Sequence, residues 1–350
     1  MKILLVRNDN IGDLINTTPA IFALRQAYPK AQIDILVNSE NQCAIFNNLS
    51  INNIYTYTKS KHVAGFIKKL KSVFNKLVLI KKLKKNHYDW AIFFRFDLSK
   101  NSLCWMQAKK TIGTNPRFTH PVIPSKNFNS NLHEALFCLE LLKPLGIIYS
   151  QDPIQKTLKN LKTNFYLPEN LKKLGVLYKN SLGIHISTRL EKNLYPESQF
   201  LILIKKLCQE LPHLSLVLTC APKEIPMAEN LAQIPGVLFT KTNSFLEAAA
   251  VFSQCPLVLT LDGGLAHVFP ALGIQTMTLM AHDKISRWHP WGMQDLVISN
   301  PTGPCADISP ELIVSKIKQI LESKKILDTL KTLKITEITE ITELLEPALL

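Results

Sequence analysis

The sequence predicts an α/β protein built as two parallel-sheet halves, and three observations carry that prediction. Short β-branched and aliphatic runs alternate with segments whose apolar residues recur at helical spacing. Such alternation favours parallel strands joined by right-handed crossovers. The pattern lapses around a polar, Lys- and Asn-rich stretch at 156–168, then restarts near residue 180. Finally, 350 residues exceed what one hydrophobic core ordinarily serves. The expected division is 1–165 and 166–325, with 326–350 as an added amphipathic helical tail bearing a repeated Ile-Thr-Glu triplet.

In the first half, residues 2–6 have the composition of a strand covered on both faces. Asn8, Asp9, Asn10 and Gly12 break the run with turn formers, and residues 13–24 return to helical spacing. A strand that runs through a turn into a helix is how open α/β sheets build sites at the carboxyl ends of their strands. Asp13 stands at that mouth, where it either caps the helix or presents its carboxylate to a ligand. Further strands are expected at 32–37, 51–57, 89–94 and 110–113, the strand at 89–94 ending at Arg95. Residues 115–131, rich in Pro, Asn and Ser, read as a long loop, a length at which loops often carry function.

The second half repeats the design. A strand at 182–187 enters a loop at 188–193, a helix follows over 196–211, and a strand at 214–219 enters a second loop at 220–224. A strand at 257–261 then runs into Asp262, Gly263 and Gly264. Two glycines at a strand-to-helix junction let backbone approach a ligand, and the free N–H groups there suit a phosphate. Taken alone the triplet is equally a tight turn. Neither G-x-G-x-x-G nor G-x-x-x-x-G-K-[ST] occurs, so neither a Rossmann dinucleotide site nor a P-loop is indicated.

Composition narrows the class. With 46% hydrophobic and 19% charged residues the chain is not disordered. Its seven cysteines are scattered, with no C-x-x-C pair, and are expected as reduced thiols, not a disulfide frame or zinc site. No apolar run reaches spanning length and the first is too short for a signal peptide, so a cytoplasmic location is expected. The net charge of +14 is uneven: residues 1–165 hold 24 Lys/Arg against 9 Asp/Glu, and ten lysines and no acid fall within 59–85. That block, with Lys68 and Lys69 at its centre, is either a solvated helix face with snorkelling lysines or a surface for an anionic partner. No nucleic-acid module is present, so a phosphorylated glycolipid or an anionic membrane leads.

Gly12-Asp13 followed by Thr18-Pro19, and Asp262-Gly263-Gly264-Leu265-Ala266-His267 followed by Ala271-Leu272-Gly273, resemble two patterns of glycosyltransferase family 9, the lipopolysaccharide heptosyltransferases. These patterns are G-D-x-x-x-x-T-P near the start and D-[ST]-G-x-x-H-x-x-x-A-L-G in the second half. The resemblance spans nearly the whole chain, to about residue 323. It implies a GT-B architecture, two Rossmann-like domains with parallel sheets facing a central cleft, acceptor on the first and nucleotide-sugar on the second. It also implies transfer of a heptose from its ADP donor to the inner core, with inversion at the anomeric carbon. On that resemblance Asp13 is the base, and Lys192 and the backbone of Gly263, Gly264 and Leu265 hold the diphosphate. Glu224 takes the place of the nucleotide-contacting acid, and Thr188, Arg189, Asp262 and His267 join the donor side, although His267 is equally an ordinary core histidine. Asn10, Gly12, Arg95, Lys68 and Lys69 fall to the acceptor side. The implied partners are a nucleotide-sugar, a phosphorylated Kdo–lipid A core glycolipid and the cytoplasmic face of an anionic inner membrane. The ADP-sugar is a co-substrate; no tightly bound cofactor and no metal ligand is implied, and no nucleic acid.

The departures concern the donor half. The family's His-Pro-Gly after the first strand of that half is His185-Ile186-Ser187 here, its Lys-Arg-Trp is Lys192-Asn193-Leu194-Tyr195, and its Gly-Gly-x-x-Glu is Cys220-Ala221-Pro222-Lys223-Glu224. Pro270, inside the helix after His267, is expected to kink it. The alternatives left open are a member using another nucleotide sugar and a non-catalytic, membrane-associated protein of the same fold.

Overall fold

The computed structural model describes residues 1–58, 66–95, 108–122, 132–148, 162–281 and 284–323, with the backbone alone for 66–73. The 326–350 tail, the first part of the expected linker, and the side chains of Lys68 and Lys69 lie outside the described residues.

Two six-stranded sheets carry the fold. The first contains β1 (Lys2–Val6), β2 (Gln32–Asn38), β3 (Asn53–Tyr57), β4 (Tyr88–Phe93), β5 (Ala108–Gly113) and β6 (His120–Pro121), ordered β3-β2-β1-β4-β5-β6. The second contains β7 (Ser181–His185), β8 (Ser215–Thr219), β9 (Val237–Phe239), β10 (Leu257–Leu261), β11 (Gln275–Met280) and β12 (Val297–Ser299), ordered β12-β11-β10-β7-β8-β9. Every pairing is parallel. Numbered within its own half, each sheet has the doubly wound order 3-2-1-4-5-6. The order in which successive strands are added to the sheet reverses between β1 and β4, and again between β7 and β10, the strands themselves staying parallel. At such a switch point the loops part and leave a crevice at the carboxyl ends of the strands.

The buried strands read as they do because helices cover both faces. In β1, Ile3 and Leu5 enter one apolar cluster while Leu4 and Val6 enter another on the opposite face. The helices are α1 (Ile11–Ala27), α2 (Phe66–Lys85), α3 (Glu134–Glu140), α4 (Glu169–Val176), α5 (Glu197–Glu210), α6 (Ile225–Leu231), α7 (Phe245–Val251), α8 (Gly264–Ala271), α9 (Ile285–Trp288) and α10, through 310–323. One apolar cluster crosses from half to half: Leu14, Ile15 and Ile21 of α1 belong with Leu265, Val268 and Phe269 of α8. In the lysine-rich α2, Leu83 is fully buried while Phe74, Leu77 and Val78 are exposed.

Four local expectations are revised. Helix α1 begins two residues before Asp13, so Gly12 lies in its first turn and not in the turn before it. The reason is contact: a Cβ on Gly12 would stand 2.5 Å from Cδ2 of His267. Within the stretch expected as loop, β6 pairs with the end of β5, held by mutual hydrogen bonds between Thr111 and Thr119. The end of the expected linker packs down, Phe165 and Leu167 being buried and the Asn164 N–H donating to Thr18 Oγ1 at 2.9 Å. Pro270 stands one residue from the end of α8, so its missing N–H accompanies termination and not a mid-helix kink. Gly273, at φ +83°, then turns the chain into β11.

Candidate active site

The carboxyl edges of the two sheets face one cleft of about 1100 Å³. The loop after β1 brings Asn10, Gly12 and Asp13 to one wall, and the loop after β4 adds Arg95. The other wall takes His185 at the end of β7 and Ser187 to Leu190 after it, Cys220 to Glu224 after β8, and Asp262 to Leu265 with His267 after β10. Both switch points therefore open into the same space.

Asp13 is third in α1, 6% exposed, and lines the cleft. The N-cap position belongs to Asn10, whose side-chain amide donates to Asp13 Oδ2 at 2.8 Å. Arg7 Nη2 donates to Asp13 Oδ1 at 2.9 Å. Both carboxylate oxygens thus have a donor, one of them charged, and the positive end of α1 adds to them.

Arg7 itself is 1% exposed. Burial works against its charge, but Asp9 first, then Cys138, Glu134 and Asp13, outweigh burial and hold its pKa above the ordinary arginine value. Its Nε donates to Asp9 at 2.9 Å, and its Nη2 is shared between Asp13 and Glu134 Oε1, also 2.9 Å. Across the domain seam, Glu134 Oε2 accepts from Arg287 Nε at 3.0 Å and Nη2 at 2.7 Å. A buried charge cluster so fully bonded is costly to break at any one member.

The opposite wall is tied differently. Thr188 Oγ1 donates to the Asp262 carbonyl at 2.7 Å, and Asn193 Nδ2 donates to Asp262 Oδ2 at 2.9 Å while its own Oδ1 accepts from the Ala281 N–H. Ser187 Oγ accepts from the Ala221 N–H at 2.7 Å and donates to Glu224 Oε2 at 3.0 Å. These bonds lock the three loops together and aim the start of α8, with Gly263 and Gly264, at the cleft. Gly263 stands where the family pattern has Ser or Thr, so no hydroxyl is offered there. A Cβ on Gly264 would meet Phe245 at 3.3 Å and Ile11 Cβ at 3.4 Å, so the starts of α1 and α8 nearly touch.

His267 joins the walls. Its ring packs on Gly12, its Nδ1 lies 3.4 Å from Asn16 Nδ2, and burial pushes its pKa down to about 4, so it is neutral. His185 is likewise buried, bonded to Thr219 Oγ1 at 2.9 Å and pushed down to about 4 by burial.

Asp13, Asn10, Gly12, Arg95, Thr188, Arg189, Glu224, Asp262, Gly263, Gly264, Leu265 and His267 all meet at the cleft. Lys192 does not line it: that side chain is exposed on a 3₁₀ turn at Glu191–Asn193. Arg189 and Lys223 are the cations lining the wall it was expected to serve. Arg95 sits 3.8 Å from Asp9, its side chain 62% exposed. Glu134, Arg287 and Trp288 were not singled out from the sequence, Ser187 was noted only as a departure from the family pattern, and Arg7 was passed over between the first strand and its turn. For Arg7 a signal existed: a charge placed directly at the end of an apolar strand has nowhere to go but the switch-point crevice. Among the described residues no group of three or more His, Cys, Asp or Glu side chains is placed to hold a metal ion.

Two doubly wound sheets presenting their carboxyl edges to a shared cleft form the GT-B arrangement. Residues 76–316 match the model of glycosyltransferase family 9 (heptosyltransferase), and the chain belongs to that family. Asp13 precedes the matched stretch, so its part rests on motif and geometry. The chain is 26% identical over 310 residues to lipopolysaccharide heptosyltransferase 3 of Escherichia coli (strain K12), covering 80% of this chain and 82% of that protein. Its fold is similar to E. coli heptosyltransferase WaaC with ADP, at TM-score 0.72 and 18% identity over 91% of this chain and 100% of that one. It is also similar to WaaC with ADP-2-deoxy-2-fluoro heptose, at TM-score 0.68 and 19% identity over 93% and 100%.

Proposed function

We propose that this glycosyltransferase moves a heptose from ADP-heptose to the inner core of lipopolysaccharide, with inversion at the anomeric carbon and Asp13 as general base. The observation that carries the reading is the position of Asp13, an anchored carboxylate lining the same cleft as the Gly263–Gly264 helix start. The acceptor hydroxyl gives its proton to Asp13 as its oxygen attacks C1 of the donor from the first wall. The bond from C1 to the diphosphate oxygen breaks, and ADP leaves toward the second wall. Charge building on the leaving oxygens is met by the N–H groups at the start of α8 and by Arg189; Lys192, outside the lining, is assigned the diphosphate only if its long side chain turns into the cleft. Arg7, 2.9 Å from Asp13 Oδ1, fixes the direction in which the carboxylate points before the acceptor arrives. Glu224, held by Ser187, is suited to accept hydrogen bonds from ribose hydroxyls. The name of the E. coli relative and the ADP compounds in the WaaC structures support the choice of sugar and nucleotide. The reaction as drawn uses no tightly bound cofactor. The test is a donor panel with core glycolipid: ADP-heptose should be consumed fastest. The altered loops around Lys192 and Glu224 favour a second reading, another nucleotide sugar; preference for a different donor in that panel would replace the first.

The acceptor side is drawn toward a membrane in the same proposal. No helix among the described residues is long and apolar enough to cross one. Helix α2 instead exposes Phe74, Leu77 and Val78 beside exposed Lys81, Lys84 and Lys85, a pattern suited to lying in an anionic interface. At about 1 kcal/mol per lysine near an anionic leaflet, a few suffice for reversible attachment. Changing Lys81, Lys82, Lys84 and Lys85 to Gln should lower sedimentation with anionic vesicles and leave ADP affinity unchanged. Wild-type vesicle binding by that variant would make α2 a solubilising face.

A further inference from the structure

We propose that Arg287 and Glu134 are positioning residues that set the Asp13 carboxylate through Arg7, so that the base is aligned only when the two domains are docked. The proposal rests on the reading of Asp13 as base. Arg7 Nη2 has two protons, and the structure gives one to Asp13 and the other to Glu134, both at 2.9 Å. Glu134 leaves that share to Asp13 because its second oxygen is already satisfied by two bonds from Arg287, at 3.0 and 2.7 Å. Arg287 belongs to α9 of the donor half, while Arg7, Asp13 and Glu134 belong to the acceptor half. Glu134 is 2% exposed, so water does not readily replace a lost guanidinium. Without Arg287 the Glu134 carboxylate must satisfy both oxygens from Arg7, and it competes with Asp13 for the shared nitrogen. Docking is reinforced beside this pair by the His133 Nε2 contact to the His289 carbonyl at 2.8 Å and by the Arg287 guanidinium lying 5.3 Å from the Phe137 ring centre. Trp288, next to Arg287, lines the cleft, so the donor half brings the pair into register when it brings its wall.

The test measures kcat, donor KM and ADP affinity for Arg287→Met, Arg287→Lys and Asp13→Asn in the full-length protein. Arg287 is partly exposed, with a side chain 31% accessible, so its replacement opens no cavity in the apolar core, and the stability lost by leaving Glu134 Oε2 unpaired is read separately by thermal melting. Arg287→Met should lower kcat about tenfold or more while donor KM and ADP affinity stay within about twofold, since alignment and not binding is lost. Arg287→Lys, which restores a charge without the two-pronged geometry, should recover part of kcat. Wild-type kcat in Arg287→Met alongside a strong loss in Asp13→Asn overturns the proposal and leaves the base reading standing. Normal turnover in Asp13→Asn overturns the base reading, and the proposal with it. A fall in thermal stability without a fall in kcat would make the pair a structural tie and likewise overturn it.

Discussion

The two walls of the cleft share a strand order and differ in what anchors them. On the acceptor wall, Asp13 is held by a buried ionic chain that runs Asp9–Arg7–Glu134–Arg287. On the donor wall, loops are tied to one another by Thr188, Asn193 and Ser187 through hydroxyl, amide and backbone groups; Arg189 lines the open space, and Lys223, also in the lining, lies 3.7 Å from Glu224 Oε1. A group that must accept a proton has to be charged and aimed before any ligand arrives, which calls for fixed counter-charges beneath it. A wall that receives a diphosphate needs rigid backbone and unspent positive charge, because the ligand supplies the anion. The same topology therefore carries two different electrostatic designs, one closed on itself and one waiting for a partner.

That contrast is open to direct attack. The largest effect expected is on the acceptor wall: Asp13→Asn should cut kcat by about 10²–10⁴ while ADP affinity, read by calorimetry, is preserved. Loss of ADP binding in that variant would mean the walls are not separable. On the donor wall, Arg189→Ala should weaken ADP and ADP-sugar together, by about tenfold for one charge-assisted phosphate contact, and lower kcat as well, since the charge it meets grows as the diphosphate leaves. Lys192→Ala should have the smaller effect of the two, because Lys192 lies outside the lining; a larger loss there would assign the diphosphate to the exposed 3₁₀ turn.

The smallest effect near neutrality concerns pH. His267, between the walls, and His185, in the donor wall, are buried neutral with pKa pushed down to about 4. In the unfolded chain each titrates near 6.5, so between about 6.5 and 4 the unfolded state binds more protons. Stability from these two residues is complete above that window and is lost as pH falls through it. Urea midpoints at pH 7.5, 6 and 5 should decline in that order, and His267→Gln should flatten the decline. A midpoint that rises on acidification would contradict neutral burial.

Legibility in the sequence tracked locality. The strands β1, β2, β4, β7, β8 and β10 announced themselves because each carries a cluster of buried aliphatic or aromatic residues, the mark of a parallel strand covered on both faces, even where a polar residue such as Asp34 of β2 interrupts it. Gly263 and Gly264 were legible because they follow closely on such a strand, and Asp13 because it opens the helix that follows the first one. Gly12 was misplaced into a turn because its reason is a histidine ring 255 positions later, not a local backbone need. Glu134 and Arg287 left no mark, since their partners stand 127 and 153 residues away and neither sits in a run whose period says which face it serves. Arg189 and Lys192 were not told apart, because both lie in one polar loop and burial alone separates a lining side chain from a solvated neighbour.

The Gly12–His267 contact also bears on how such enzymes can be recombined. A hybrid that joins this acceptor half to the donor half of a relative inherits whatever side chain that relative carries opposite Gly12. A bulkier ring, or a residue with a Cβ in place of Gly12, would wedge the halves apart at a point where the available gap is a single hydrogen atom. Grafts should therefore be chosen by the match at this seam before any match in the lining of the cleft, and a graft that fails at the seam should regain activity when both partners are carried across together.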